Sequence, residues 1–210
     1  MGYSRKIQPV TSLTDKYLTY TALCENRMKA VNYGFYIESI HISYAILEDR
    51  TRSFFYHLGY LQSREVFCKC SKKTNAFFGE VFQSYVKAHN LAKKNKTING
   101  FSNKLLLIRA VSEFVENNDT CTYISTQYFS LLKQRLKKIE NIYALLDEID
   151  EWRECRNEVT HALANKTLID LQDKLKVISN KGIALSKAFD NVVKKIKKDK
   201  KLRFYLKMKD

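Results

Sequence analysis

From residue 12 to residue 57 apolar side chains return every three or four positions, through Leu13, Tyr17, Tyr20, Leu23, Phe35, Ile37, Ile40, Tyr44, Leu47 and Phe54. That period is one face of an α-helix. The spacing predicts a helix broken near Gly34 and stopped by Gly59, because glycine tolerates the left-handed backbone that often follows a last helical turn. Thr74 or Asn75 is placed to cap a further helix carrying Phe77, Phe78, Val81, Phe82, Tyr85 and Val86. Over residues 93–104 (KKNKTINGFSNK) the period is lost, and the stretch reads as an exposed basic loop. It resumes over 105–115, breaks at the polar run 116–120 and returns near Tyr128. From Leu131 it continues through Leu132, Leu136, Ile139, Ile142, Leu146, Ile149 and Trp152, which predicts one long helix reaching Arg156. A last helix spans 167–195, with Leu171, Leu175, Ile178, Leu185, Phe189 and Val192 facing inward, and a basic tail follows over 194–210.

One proline and six glycines in 210 residues leave too little turn chemistry for a β-sandwich or barrel. The expected architecture is all-α, an up-and-down helical bundle forming a single domain over residues 1–210. No apolar run is long enough to cross a membrane, and no apolar signal core follows the first residues. Gly2 invites an acylation reading, but Lys6 stands where that pattern wants Ser or Thr. The five cysteines are odd in number and lack a C-x-x-C pair, so they read as reduced thiols in a cytosolic protein. Cys68 and Cys70 are the one close pair, and two further zinc ligands at recognisable spacing are missing. Neither a metal nor a cofactor is expected.

The formal charge is +15, unevenly spread. Residues 140–158 hold seven acids and two bases, while residues 193–209 carry nine bases around Asp199, Phe204 and Tyr205. The 93–104 segment and Lys133, Arg135, Lys137 and Lys138 add to the basic side. Such surfaces attract phosphate polymers through counterion release, and aromatic side chains offer stacking faces to unpaired bases. RNA is the expected partner. Solvated lysine faces, or an arm on an anionic membrane, are the alternatives that charge alone leaves open.

The chain has no Walker loop, G-x-G-x-x-G, H-E-x-x-H or G-x-S-x-G, which leaves four histidines to carry chemistry. His41 and His89 have no catalytic company in sequence and read as surface or packing residues. His57 follows Arg52 by five positions and His161 follows Arg156 by five, so R-x4-H occurs twice. The flanks differ. Phe54, Phe55 and Tyr56 fill the first interval and suit a packed helix. The second reads Arg156, Asn157, Glu158, Val159, Thr160, His161, Ala162. This R-N-x-x-x-H followed by a small residue resembles the signature of the HEPN superfamily, compact all-α domains many of whose members are metal-independent RNA endonucleases. The segment 45–59 (AILEDRTRSFFYHLG) is similar to the long first helix of such domains, in which Glu48, Asp49, Arg50 and Arg52 offer polar groups to the site or a solvated face.

The chemistry suits these residue types. The ribose 2′-hydroxyl already adjoins the scissile phosphate, so cleavage needs a proton taken from it, charge stabilised on the phosphorane and a proton given to the leaving oxygen. His161 is suited to general acid or base work, and Arg156 offers a cationic fork to the phosphate oxygens. Asn157 lies four positions before His161, on the same helical face, where its amide can orient the ring or the phosphate. Arg156 and His161 project about 140° apart on a regular helix. The resemblance implies that a homodimer resolves this, with motif residues of both copies in one composite cleft. It also implies a setting in cellular stress or antiphage defence, as a toxin or effector; because unrestrained cleavage is toxic, an antitoxin, guide RNA or bound RNA is the expected restraint. The opposing reading is a non-catalytic RNA-binding helical module, in which Arg156 pairs with Glu151 or Glu154 and His161 caps its helix. The acids ahead of Arg156 are expected to face away from any RNA cleft.

Overall fold

In the computed structural model, which describes residues 13–61, 72–91, 100–163 and 168–197, the regular elements are seven helices. α1 (Leu13–Asn32) and α2 (Tyr36–Leu58) meet at Gly34, whose φ of 76° makes the reversal. α2 stops at Gly59, φ 87°, and the Tyr60 N–H closes the cap on the Phe55 carbonyl at 2.9 Å. α3 (Lys72–Ala88), α4 (Phe101–Asn117), α5 (Thr126–Leu136), α6 (Ile142–Ala162) and α7 (Leu168–Lys197) follow. α3 begins ahead of Thr74 and Asn75, so neither is its cap.

Two further expectations are corrected. Residues 101–104 are the first turn of α4 and not part of a loop: Gly100 is extended, and Phe101 and Lys104 are both buried. Phe101 meets the Tyr44 ring edge-on at 5.2 Å, and the Lys104 ammonium finds Glu48 at 3.2 Å, so a segment that reads as polar is drawn inward. Second, the helix expected over 131–156 is interrupted between α5 and α6, where Asn141 adopts a left-handed φ of 55°. Ile139 is buried within that turn, which is why the apolar period runs through it unbroken. Of the basic loop, residues 93–99 lie outside the described residues, as do 198–210 of the tail.

Helix directions follow from pairs of contacts. Lys16 meets Asp49 while Arg27 reaches Ser43, so α1 and α2 are antiparallel. Ser39 bonds Ser179 and Arg50 bonds Asp190, so α2 and α7 run parallel. Trp152 meets Ile178 and Glu158 meets Lys174, so α6 runs against α7. The α2–α7 seam is built from small residues, Ser39, Ser43, Ser179 and Ser186, all buried. Their hydroxyls stay satisfied: Ser179 donates to Ser39 at 2.8 Å, and the buried Arg27 guanidinium donates to Ser186 at 2.6 Å. Burial lowers the Arg27 pKa from its ordinary value.

The core is one cluster, in which Phe55, Tyr60, Phe77, Phe78 and Phe129 pack ring to ring with the half-buried Phe114. α6 is fastened to α7 by Trp152, whose indole N–H donates to the Ile178 carbonyl at 2.8 Å. Gly182 makes room for that ring, because a Cβ there would stand 2.6 Å from it. The anchor lies four positions before Arg156 and so fixes the azimuth of the helix that carries the motif.

Candidate functional site

Arg156 and Asn157 are half-buried and His161 is exposed, all on the C-terminal half of α6. The Arg156 guanidinium lies 4.4 Å over the Tyr44 ring of α2, and Phe101 of α4 backs that ring from another side. Arg156 Nη1 donates to Asn157 Oδ1 at 2.9 Å, and Nη2 points at His41 Nδ1 at 3.5 Å. Arg156 makes no ion pair among the described residues: Glu154 goes to Arg153, and Glu151 lies 3.9 Å from Lys181. The pairing of Arg156 with those acids, which belongs to the opposing structural reading, is therefore absent among the described residues. The Asn157 amide oxygen orients the guanidinium and not the imidazole.

His41, Tyr44, Glu48 and Arg52 recur at steps of three and four, which lines them along one face of α2. Tyr44 and His41 touch Arg156, while Glu48 binds Arg52 at 3.1 Å and Lys104 at 3.2 Å. Burial alone would raise the Glu48 pKa, but the Lys104 ammonium and Arg52 guanidinium outweigh it and hold the carboxyl below its ordinary value. Burial, helped by the Glu48 charge, raises the Tyr44 phenol against the opposing effect of Arg156 and Arg153. Tyr44 is therefore a neutral plate under a fixed cation. The sequence reading missed His41 and Tyr44 as members of this group. Their stripe with Glu48 and Arg52 was visible, but only the position of α6 gives it meaning.

His161 has no hydrogen-bond partner among the described residues and does not cap α6, whose end is closed by the Leu163 N–H on the Val159 carbonyl. α6 is regular through the motif, so Arg156 and His161 project about 140° apart and do not meet within one copy. Of the acids expected to face away from an RNA cleft, Glu154 lies on the face of His161. Glu154, Glu158 and His161 share one helical face by their spacing of four and three. Their charge is partly balanced, since Glu154 pairs with Arg153 and Glu158 lies 3.6 Å from Lys174.

The other chemistry-bearing residues sort as follows. His57 is buried with Phe54 and Phe55, as its flanks imply. His89 is exposed and stacks on Tyr85 at 4.0 Å. Lys133 closes the α4–α5 turn on Asp119 and the Asn118 carbonyl, leaving Lys137 and Lys138 exposed from that basic group. Cys24, Cys121 and Cys155 are free thiols, and Cys68 and Cys70 lie outside the described residues. Among the described residues no cluster of ligating side chains could hold a metal ion, and no helix is long and apolar enough to cross a membrane. No protein-family model, no curated protein and no solved structure matches the chain.

Proposed function

We propose that the protein is a metal-independent endoribonuclease of HEPN type, cutting single-stranded RNA by attack of the 2′-hydroxyl. The observation that carries this reading is the unlike state of the two motif side chains: Arg156 is held in one orientation by Tyr44 and Asn157, and His161 is exposed with no hydrogen-bond partner among the described residues. A cation fixed before substrate arrives stabilises developing phosphorane charge without reorganising, and an accessible imidazole is free to move a proton. In the proposed reaction His161 takes the 2′-hydroxyl proton, the new oxygen–phosphorus bond forms, and the 5′-oxygen leaves with a proton supplied by the His161 of a second copy. The products are a 2′,3′-cyclic phosphate and a 5′-hydroxyl. A homodimer is required, because the 140° offset keeps one copy's Arg156 and His161 from sharing a phosphate. Exposed Lys194, Lys195 and Lys197 at the end of α7 supply nonspecific attraction for RNA. A role as a toxin or antiphage effector, restrained by an antitoxin or guide RNA, belongs to the same proposal.

A second reading has an observation of its own. Arg156 already stacks on Tyr44 and donates to Asn157 inside its own copy, and the acids Glu154 and Glu158 share the face of His161, which suits a motif with a structural role in a helical RNA-binding module. Incubation of labelled RNA in chelator separates the two. Under the nuclease reading the wild type cleaves and leaves cyclic-phosphate ends, while Arg156→Ala does not cleave. Under the binding reading the wild type retains RNA intact.

A further inference from the structure

Between α1, α2 and α7 the helices enclose a cleft of about 290 Å³, at the lower end of the range for small-molecule sites. It lies apart from the Arg156 site, although Lys194 and Lys197 are common to it and to the RNA-attracting end of α7: Ser53 on its wall and Tyr44 under Arg156 are nine positions apart on α2, about half a turn round the helix. Lys16 and Tyr17 come from the start of α1, Arg50 and His57 from α2, and Lys194 and Lys197 from the end of α7.

The wall has a charge surplus. Arg50 is pinned by Asp49 at 2.7 Å and Asp190 at 3.3 Å, with its plane 4.4 Å over the Tyr20 ring. Lys16 shares Asp49 at 3.0 Å, and Lys194 shares Asp190 at 2.7 Å. Two carboxylates thus serve three cations, and Lys197 adds a fourth with no acidic partner among the described residues. A concave basic wall concentrates potential on an anion more than the same charges do on an open face. Burial pushes the Tyr20 phenol up to about 12, so it stays a neutral hydroxyl beside that wall. At the rim Tyr17 is 71% exposed, leaving an aromatic surface uncovered next to the cations. Positive charge for a phosphate and an aromatic plate for a planar base, within one cleft, are the two halves of nucleotide recognition.

We propose that this cleft binds a nucleotide, its phosphate between Lys194, Lys197 and Lys16 and its base against Tyr17. A free nucleotide and the phosphorylated end of an RNA chain present the same chemistry. The test is titration calorimetry on the full chain carrying Arg156→Ala, which removes the other phosphate-binding cation. The probes are adenosine monophosphate, inorganic phosphate, and short RNAs with a 5′-phosphate or a 5′-hydroxyl. Adenosine monophosphate binds one per chain, and Lys194→Gln with Lys197→Gln weakens it by about tenfold or more. Both positions are exposed, so the double variant keeps its fold. Tyr17→Ala weakens the nucleotide and leaves inorganic phosphate unchanged. Displacement by the 5′-phosphorylated RNA but not the 5′-hydroxyl RNA assigns the site to RNA ends, and displacement by neither assigns it to free nucleotide. Absence of binding, or binding indifferent to both the lysine and tyrosine variants, overturns the proposal. So does binding seen in the wild-type chain but lost in Arg156→Ala, because that places the nucleotide at the motif.

Discussion

On α2 the interval between Arg52 and His57 holds three buried residues, Ser53, Phe54 and Phe55, with half-buried Tyr56, and His57 is buried beside them; on α6 the interval between Arg156 and His161 holds one buried residue, Val159, and His161 stands in solvent. Both segments are regular helix, so both turn their arginine and histidine about 140° apart. The spacing is therefore neutral about function. What differs is which face of the helix the bundle claims. α2 is the central helix and buries the interval, and with it the histidine. α6 is fastened by Trp152, and its last turns leave the histidine face outside. Arg52 in turn is committed to Glu48, whereas Arg156 has no acidic partner among the described residues, so its charge remains available to an incoming phosphate.

The comparison can be broken at either interval. Phe55→Ala removes a fully buried ring and should cost about 3–5 kcal/mol in chemical denaturation, while Thr160→Ala in the other interval should change stability by less than about 0.5 kcal/mol. Comparable losses at the two positions would show that the two helices are equally part of the core. Gly182→Ala comes next. Alanine is the better helix former by about 1 kcal/mol, yet its Cβ would collide with Trp152, so a net loss of about 1–3 kcal/mol is expected. A gain in melting temperature would mean the anchor yields easily. A smaller effect is expected at the plate under Arg156. Tyr44→Leu should lower RNA cleavage by about tenfold through loss of orientation, with Tyr44→Phe retaining the wild-type rate. Equal rates for all three proteins would remove Tyr44 from the account.

The smallest effect concerns acid. Burial alone would raise the Asp49 carboxyl, but Arg50 and Lys16 outweigh it and hold it below its ordinary value, as Lys104 and Arg52 do for Glu48. A carboxyl depressed in the folded chain stabilises it fully above its unfolded pKa of about 4 and loses that contribution as pH falls through the folded value. Denaturation midpoints should therefore fall below about pH 4, and less steeply in Asp49→Asn than in the wild type. An unchanged slope in that variant would assign acid sensitivity elsewhere.

Much of the framework was legible in the chain because its determinants are local. Gly34 and Gly59 sit where the period stops, and both take the left-handed backbone. The break before α6 was illegible because Ile139 keeps the apolar period while the backbone turns at Asn141. Lys104 was illegible for a different reason: a lysine reads as surface unless its partner is known, and Glu48 lies 56 positions away in sequence. The site divides the same way. Arg156, Asn157 and His161 were named from flanking residues on one helix. His41 and Tyr44 depend on the antiparallel approach of α2 and α6, which no spacing along a single helix encodes.

The central claim is that His161, and not its sequence twin, moves a proton. Single-turnover cleavage of a labelled RNA in chelator, measured for the wild type, His161→Ala and His57→Asn below the melting temperature of each, tests it directly. The account predicts that His161→Ala loses about 10²–10⁴ in rate with RNA affinity and melting temperature unchanged, and that His57→Asn cleaves at the wild-type rate. Cleavage by His161→Ala at the wild-type rate, or intact RNA with the wild-type protein, would contradict it.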